Sequence, residues 1–229
     1  MSISVWPVFD LRIRCRDVEL RAVREDDLPH LASIQPDDYE HDPRAEMLPG
    51  LNLKQNRDRL LYHGYWRSLG TWSPSSWRLD LAVEYYGSVV GVQSLEAEDF
   101  PALRTVDSGS WLIEAVRGRH VGVAMRMAVL GLAFDHLDAL AAVSSARSDN
   151  GASLGVSESI GYTDNGVSLN DSGHGLVELR HMRLMAQDWR SSGQGSQVTV
   201  NGYEPCLPWF GQASGIGKTS SEPIRRADH

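Results

Sequence analysis

Apolar residues fall at positions 77, 79, 81, 83 and 85, with Arg78, Asp80 and Glu84 between them. This period of two predicts a half-buried strand from Trp77 to Tyr85. Tyr86-Gly87-Ser88 then reads as a hairpin turn, followed by a second strand over Val89 to Leu95 and a third over Thr105 to Ile113 that continues an antiparallel meander. The period changes after that. Val121, Ala124, Met125, Ala128, Val129, Leu132 and Ala133 form one helical stripe, and Val123, Met127, Leu130, Phe134 and Leu137 form another. A helix over His120 to Leu137 is therefore apolar around most of its circumference and has to be buried. Ala139 to Val143 is a short apolar run of the kind found in strands covered on both faces, so strand, helix and strand here predict a right-handed parallel crossover.

The flanks are less regular. Val18 to Arg24 predicts a strand, and Glu25-Asp26-Asp27 a helix start behind it. Residues 37–58 are polar and broken by Pro43, Pro49 and Gly50, which predicts a loop before an amphipathic helix over Leu60 to Leu69. A short helix is expected from Gly151 to Ile160, with Asp149 or Asn150 as its cap and Gly161 as the left-handed residue that ends it. Two more strands are expected around Leu176 to Met185. Past Trp189 the chain turns rich in Ser, Gly and Gln, which divides it into a domain over residues 1–190 and an extension over 191–229. The extension is expected to dock in part, through Val198-Thr-Val and Cys206-Leu-Pro-Trp-Phe, and to end in a disordered tail.

Composition narrows the class. With 229 residues, 41% hydrophobic and 23% charged, one α/β domain with an extension is the natural size. A formal net charge of -8 repels phosphate backbones and anionic headgroups, so neither nucleic acid nor a membrane surface is an expected partner. Cys15 and Cys206 lack the spacing of redox or zinc motifs, and no stretch of 18 apolar residues or basic-then-apolar leader occurs, so a cytoplasmic protein is expected. The eight histidines include no HExxH arrangement, and His174 and His181 are isolated, so no metal is expected. The tail carries Gly211 and then Gly217-Lys218-Thr219, one residue too widely spaced for a phosphate-binding Walker loop.

The segment with chemical content is Ile113-Glu-Ala-Val-Arg-Gly-Arg-His-Val-Gly-Val-Ala124, a glycine-containing turn between a strand and the buried helix. Free N–H groups in a first helical turn, together with the positive end of the helix dipole, make an anion site where side chains are small. Gly122 and Ala124 are small, and Arg117 and Arg119 can add charge-assisted contacts. At this point Arg119-His-Val-Gly122-Val-Ala124 resembles the acyl-CoA signature of the GNAT superfamily, and Asn150, Ser153 and Gly161-Tyr162 resemble its second signature. The resemblance covers about residues 18–188 and is to the branch that includes the ribosomal-protein-alanine acetyltransferases. It implies an α/β fold with a mixed, mostly antiparallel twisted sheet, flanking helices and a central parallel β-α-β crossover. It implies acetyl-CoA as acyl donor, held by Leu112, Ile113, Glu114, Arg117, Arg119, His120, Val121, Gly122, Val123, Ala124, Asn150 and Ser153, with no metal. It also implies a primary amine as acceptor, either a small molecule or a protein N-terminus, attacking directly in a ternary complex of a monomer or homodimer.

That reaction needs a neutral amine, whose ordinary pKa of about 8 to 10 calls for a base. Glu96, just past the second strand, is favoured over Glu84, Glu98 and Asp99. The superfamily is understood to stabilise the developing oxyanion with backbone N–H groups where a strand splays from its neighbour, here Leu112 to Glu114. Many members place a tyrosine seven residues after the Asn as general acid, whereas this chain has Ser157 there. Ser153 is the candidate acid in its place, and Tyr162 is read first as a packing aromatic. The aromatics Tyr62, Tyr65, Trp66, Trp72 and Trp77 are read as core before cleft. A catalytically silent acyl-CoA-binding regulatory module stays open as the alternative to an enzyme.

Overall fold

The computed structural model describes residues 5–39, 45–173 and 175–212. The N-terminal half consists of β1 (Arg12–Cys15), β2 (Val18–Ala22), α1 (Leu28–Ile34), α2 (Leu53–Gly70), β3 (Trp77–Tyr85), β4 (Ser88–Ala97), α3 (Phe100–Leu103), β5 (Thr105–Asp107) and β6 (Ser110–Leu112). The remainder consists of α4 (Val121–Gly131), β7 (Ala141–Arg147), α5 (Gly151–Ile160), β8 (Thr163–Asp171), β9 (Leu176–Met185), α6 (Ala186–Ser192) and β10 (Val198–Asn201). The strands join in the order β10-β1-β2-β3-β4-β5-β7-β9-β8, and β6 pairs with β4. Only β5 and β7 run parallel among the described pairs, the rest being antiparallel.

Alternation along β3 sorts the two faces of the sheet. Trp77, Leu79, Leu81 and Val83 join Leu95 and the apolar stripes of α4 in the larger core, while Ala82 and Val92 join Val23, Leu28, Leu31, Tyr65 and Trp111 under α1 and α2. The β3–β4 turn holds Tyr86 at φ 48° and Gly87 at φ 78°, the two positive angles that a two-residue hairpin needs to match strand twist. At Gly91 a Cβ would run into the Trp111 carbonyl oxygen, so glycine there lets β6 lie tight on β4.

Several expectations need correction. The strand expected over Thr105 to Ile113 is interrupted at Ser108-Gly109, although Glu96 opposite Asp107 and Gln93 opposite Ser110 keep one register across the break. Helix α2 starts at Leu53 rather than Leu60: Asn52 and Gln55 form a capping box, and the polar turns are held by Asn56 on Leu48 and Leu51 carbonyls and by Arg57 on Asp37 and the Pro36 carbonyl. Asn56 and Arg57 are buried by hydrogen bonding, which no apolar period announces. The buried helix ends as α at Gly131 and continues as a π turn over Leu132–His136. The pair expected around Leu176 to Met185 is instead β8 with β9, and β8 is exposed along almost its whole length, so it lacks the alternation that marks a half-buried strand.

The described residues past 190, up to Gln212, pack against the domain ahead of them. Strand β10 pairs with β1 at the sheet edge, and Gly131 of α4 lies so near Val198 that a Cβ there would meet its side chain at 2.6 Å. Cys206 and Phe210 are fully buried, and Trp72 Nε1 donates to the Trp209 carbonyl at 2.9 Å. The Walker-like tail beyond Gln212, and His174, lie outside the described residues.

Candidate functional site

The turn between β6 and α4 is shaped by left-handed residues, Gly118 at φ 74° and His120 at φ 61°. His120 ends that turn, and the first helical bond runs from the Ala124 N–H to the His120 carbonyl at 3.1 Å. The amides of Val121, Gly122 and Val123 therefore have no intrahelical acceptor, and no side chain caps them. A Cβ at Gly122 would sit 3.2 Å from Val156 Cγ2, so the glycine also admits the close approach of α5. Arg119 and His120 are exposed beside the free amides. Arg117 is committed elsewhere: it forms a bidentate pair with Asp38 at 2.6 and 2.8 Å and donates from Nε to the Leu112 carbonyl at 3.1 Å. A phosphate would have to draw it away from Asp38.

Asn150 begins α5 by accepting a hydrogen bond from the Ser153 N–H at 3.0 Å, and Gly161 ends it at φ 103°. Ser153 is half-buried, and Ser157, in the position of the family tyrosine, is buried at 2% exposure. Asn150→Ala is expected to lower stability by about 1 kcal/mol through the lost cap. A urea titration would show it, and an unchanged midpoint would mean that Asn150 does not cap in solution.

Between the two signature segments the sheet opens. Parallel pairing of β5 with β7 stops at Asp107 opposite Val143, and among the described strands β6 pairs with β4 alone. The Ile113 N–H reaches the Val90 carbonyl at 2.9 Å, so by antiparallel alternation the peptide groups of Leu112 and Ser110 face away from β4 into the gap. The Arg117 bond to the Leu112 carbonyl agrees with that direction. Ile113 closes the strand, and Glu114 stands exposed in the following 3-10 turn rather than on the strand edge.

On the α1–α2 side of the gap lies a cavity of about 270 Å³. Leu28, Leu31, Leu61, Tyr65, Val92 and Trp111 give it an apolar body, and Ser68, Arg78, Asp80, Ser94 and Ser110 give it a polar end. Asp80 accepts from Ser68 Oγ at 2.9 Å and from Arg78 Nε at 3.0 Å, while Arg78 Nη1 donates to Glu96 at 2.8 Å. Tyr39 meets Trp111 edge-on with ring centroids 6.3 Å apart, and burial raises its phenol pKa. Glu96, the candidate from sequence, is thus ion-paired and about 40% exposed. Opposite it on β5 is Asp107, whose pKa is raised mainly by burial and further by Glu96, against the Ser108 amide, Arg126 and Arg78, which lower it.

Of the other carboxylates weighed, Glu84 is tied to Arg21 at 2.6 Å near the opposite end of β3, and Glu98 and Asp99 are exposed. Trp72 and Trp77 are core, stacked at 6.0 Å, and only Tyr65 of the aromatic set lines the cavity. Asp107, Asp80 and Arg78 were not singled out from sequence. Asp80 and Arg78 look like the solvated face of a half-buried strand, and the strand register that sets Asp107 against Glu96 is not written in local periodicity.

The comparisons with known proteins agree with this architecture. RimJ of Mycobacterium smegmatis, solved in complex with CoA-disulfide, superposes with a TM-score of 0.61 at 18% identity, covering 82% of this chain and 97% of that one. RimL, an alpha-N-protein acetyltransferase, gives 0.56 at 17% identity over 74% and 91% of the two chains. A chimera built on the spermidine N-acetyltransferase SpeG of Vibrio cholerae gives 0.57 at 12% identity over 76% and 98%. At these identities the likeness is one of fold. No helix among the described residues is long and apolar enough to cross a membrane, and no described group of three or more His, Cys, Asp or Glu side chains could hold a metal. Residues 17–163 match the model of the GNAT acetyltransferase domain, and with that match over most of its length the chain belongs to the GNAT acetyltransferase family.

Proposed function

We propose that the protein moves an acetyl group from acetyl-CoA to a primary amine, a small molecule or a protein N-terminus, held in the cavity under α1 and α2. One observation carries this reading: β6 leads through a short turn to the uncapped amides of α4, and its Ser110 and Trp111 line the cavity that also holds Asp80. Bound acetyl-CoA would supply the thioester. The amides of Val121, Gly122 and Val123 fit its pyrophosphate, with Arg119 at hand, and Asn150 and Ser153 belong to the helix packed alongside. The Leu112 N–H, turned into the gap, is placed to stabilise negative charge developing on a carbonyl oxygen there. Asp80, in the cavity lining, draws an ammonium to the polar end, and Glu96, joined to that end through Arg78, takes a proton from it. The amine nitrogen then bonds to the acetyl carbon, the carbon–sulfur bond breaks, and the leaving thiolate takes up the second proton that the nitrogen sheds in becoming an amide. With an ordinary pKa of about 8.5, that thiolate needs little help from an acid.

The test is release of free thiol from acetyl-CoA across a panel of amines and short peptides. Amine-dependent thiol release with a matching acetylated product is the expected result. Tight CoA binding without thiol release from any acceptor would instead establish a silent binding module.

A further inference from the structure

Strand register gives the cavity a graded floor. On the α1–α2 face, Arg78 lies opposite Glu96, then Asp80 opposite Ser94, then Ala82 opposite Val92, with Trp111 beyond Val92 on β6. These rows are two residues apart, about 7 Å along the strands. The first two are charged and polar, and the third is apolar. Arg78 bridges Asp80 and Glu96 at 3.0 and 2.8 Å, so the three side chains together leave one formal negative charge. Around the apolar row, Leu28, Leu31, Leu61 and Tyr65 pack in one cluster with Val92 and Trp111.

This grading restricts what the cavity can hold. One ammonium cancels the charge of the polar rows. A second, further along the same molecule, would enter the apolar part with no carboxylate to meet it, since Asp80 is the one acidic residue among the described lining, against the guanidiniums of Arg67 and Arg78. A short polar amine would leave the apolar part unfilled. A hydrocarbon ring fits it by chemistry and by size: about 150 Å³ holds a benzene ring, and this cavity has about 270 Å³. Resting on the acetyltransferase reading above, we propose that the acceptor is a monocationic primary amine joined through a short carbon chain to a ring-sized apolar group. Its nitrogen lies at Asp80, and its apolar group lies between Val92, Trp111 and Leu61. An arylalkylamine and an N-terminal residue with a large apolar side chain both present this chemistry, whereas a polyamine does not.

The experiment is a calorimetric titration of the full chain, with CoA present, by 2-phenylethylamine, 1,4-diaminobutane, glycinamide and a tetrapeptide beginning with Phe. 2-Phenylethylamine or the peptide should bind about 10-fold or more tightly than the diamine and glycinamide, and the tighter of the two names the source of the amine. Leu61→Glu, at a half-buried position of α2, sets a carboxylate beside the apolar part. It should weaken the ring-bearing ligand about 10-fold and strengthen the diamine. Trp111→Ala should weaken the ring-bearing ligand and leave the diamine unchanged, and it serves as the test if Leu61→Glu does not fold. A wild-type preference for the diamine or glycinamide, equal affinity for all four, or binding of none would overturn the proposal. So would a ring-bearing ligand held equally by wild type and the folded variants. Binding is read without turnover, so ring-selective binding with no thiol release would count against the acetyltransferase reading and not against the ligand class.

Discussion

Phe210→Ala is expected to lower the unfolding free energy by about 3–5 kcal/mol, although residue 210 lies well beyond the 17–163 span of the family match. The ring is fully buried, 4.8 Å from Trp77 and 5.5 Å from Trp72 between ring centroids, and both tryptophans pack on the larger core. Deleting it removes the transfer energy of a large side chain and leaves a cavity whose walls are rigid rings. The neighbouring backbone cannot close in easily, since Gly211 already lies against the Pro74 carbonyl and Trp209 holds Trp72 Nε1. Urea unfolding of the two proteins measures the loss. A change below about 1 kcal/mol would mean that the C-terminal segment is not seated on the core in solution.

The second large effect concerns the donor side. Gly122→Glu is expected to weaken acetyl-CoA binding by about 100-fold or more. A carboxylate within about 4 Å of a bound pyrophosphate carries a repulsion of about 4 kcal/mol at a surface-like effective dielectric. The glycine also faces Val156 Cγ2, so part of any loss could come from α5 being pushed aside. Gly122→Ala separates the two causes: it adds the same first atom against Val156 without charge, and it should keep most of the affinity. Calorimetric titration with CoA decides between them. Equal affinity in wild type and Gly122→Glu would remove the anion site from the start of α4.

The crossover, the hairpin and the short helix α5 were legible because each has a local cause. Alternation from Trp77 to Tyr85 marks the strand β3, the double apolar stripe marks α4, and Asn150 and Gly161 mark the ends of α5. The uncapped turn before α4 was legible for the same reason, since small residues and a strand-to-helix change lie within a dozen positions. What escaped depends on distant partners. Asn56 and Arg57 are buried by bonds to residues 36–51, β8 pairs with β9 alone among the described strands, and Asp107 is set opposite Glu96 by strand pairing. Arg117 shows the converse. Its position in the motif suggested phosphate, whereas Asp38, from a loop nearly eighty residues earlier, occupies its guanidinium.

The seating of β10 beside β1 also bears on how the chain reaches this state. Arg12 pairs with Asn201 and Cys15 with Val198, so the edge of the sheet formed by the earliest strand is finished by the last one. Loop-closure entropy for contacts so far apart in sequence is spent before any burial repays it, which places their formation late in folding. During synthesis, β1 and β2 can pair early, while the open side of β1 and the surface around Trp77 stay uncovered until residue 210 has been made. In that interval the nascent chain presents an unpaired strand edge beside exposed aromatics, the combination most prone to misassociation.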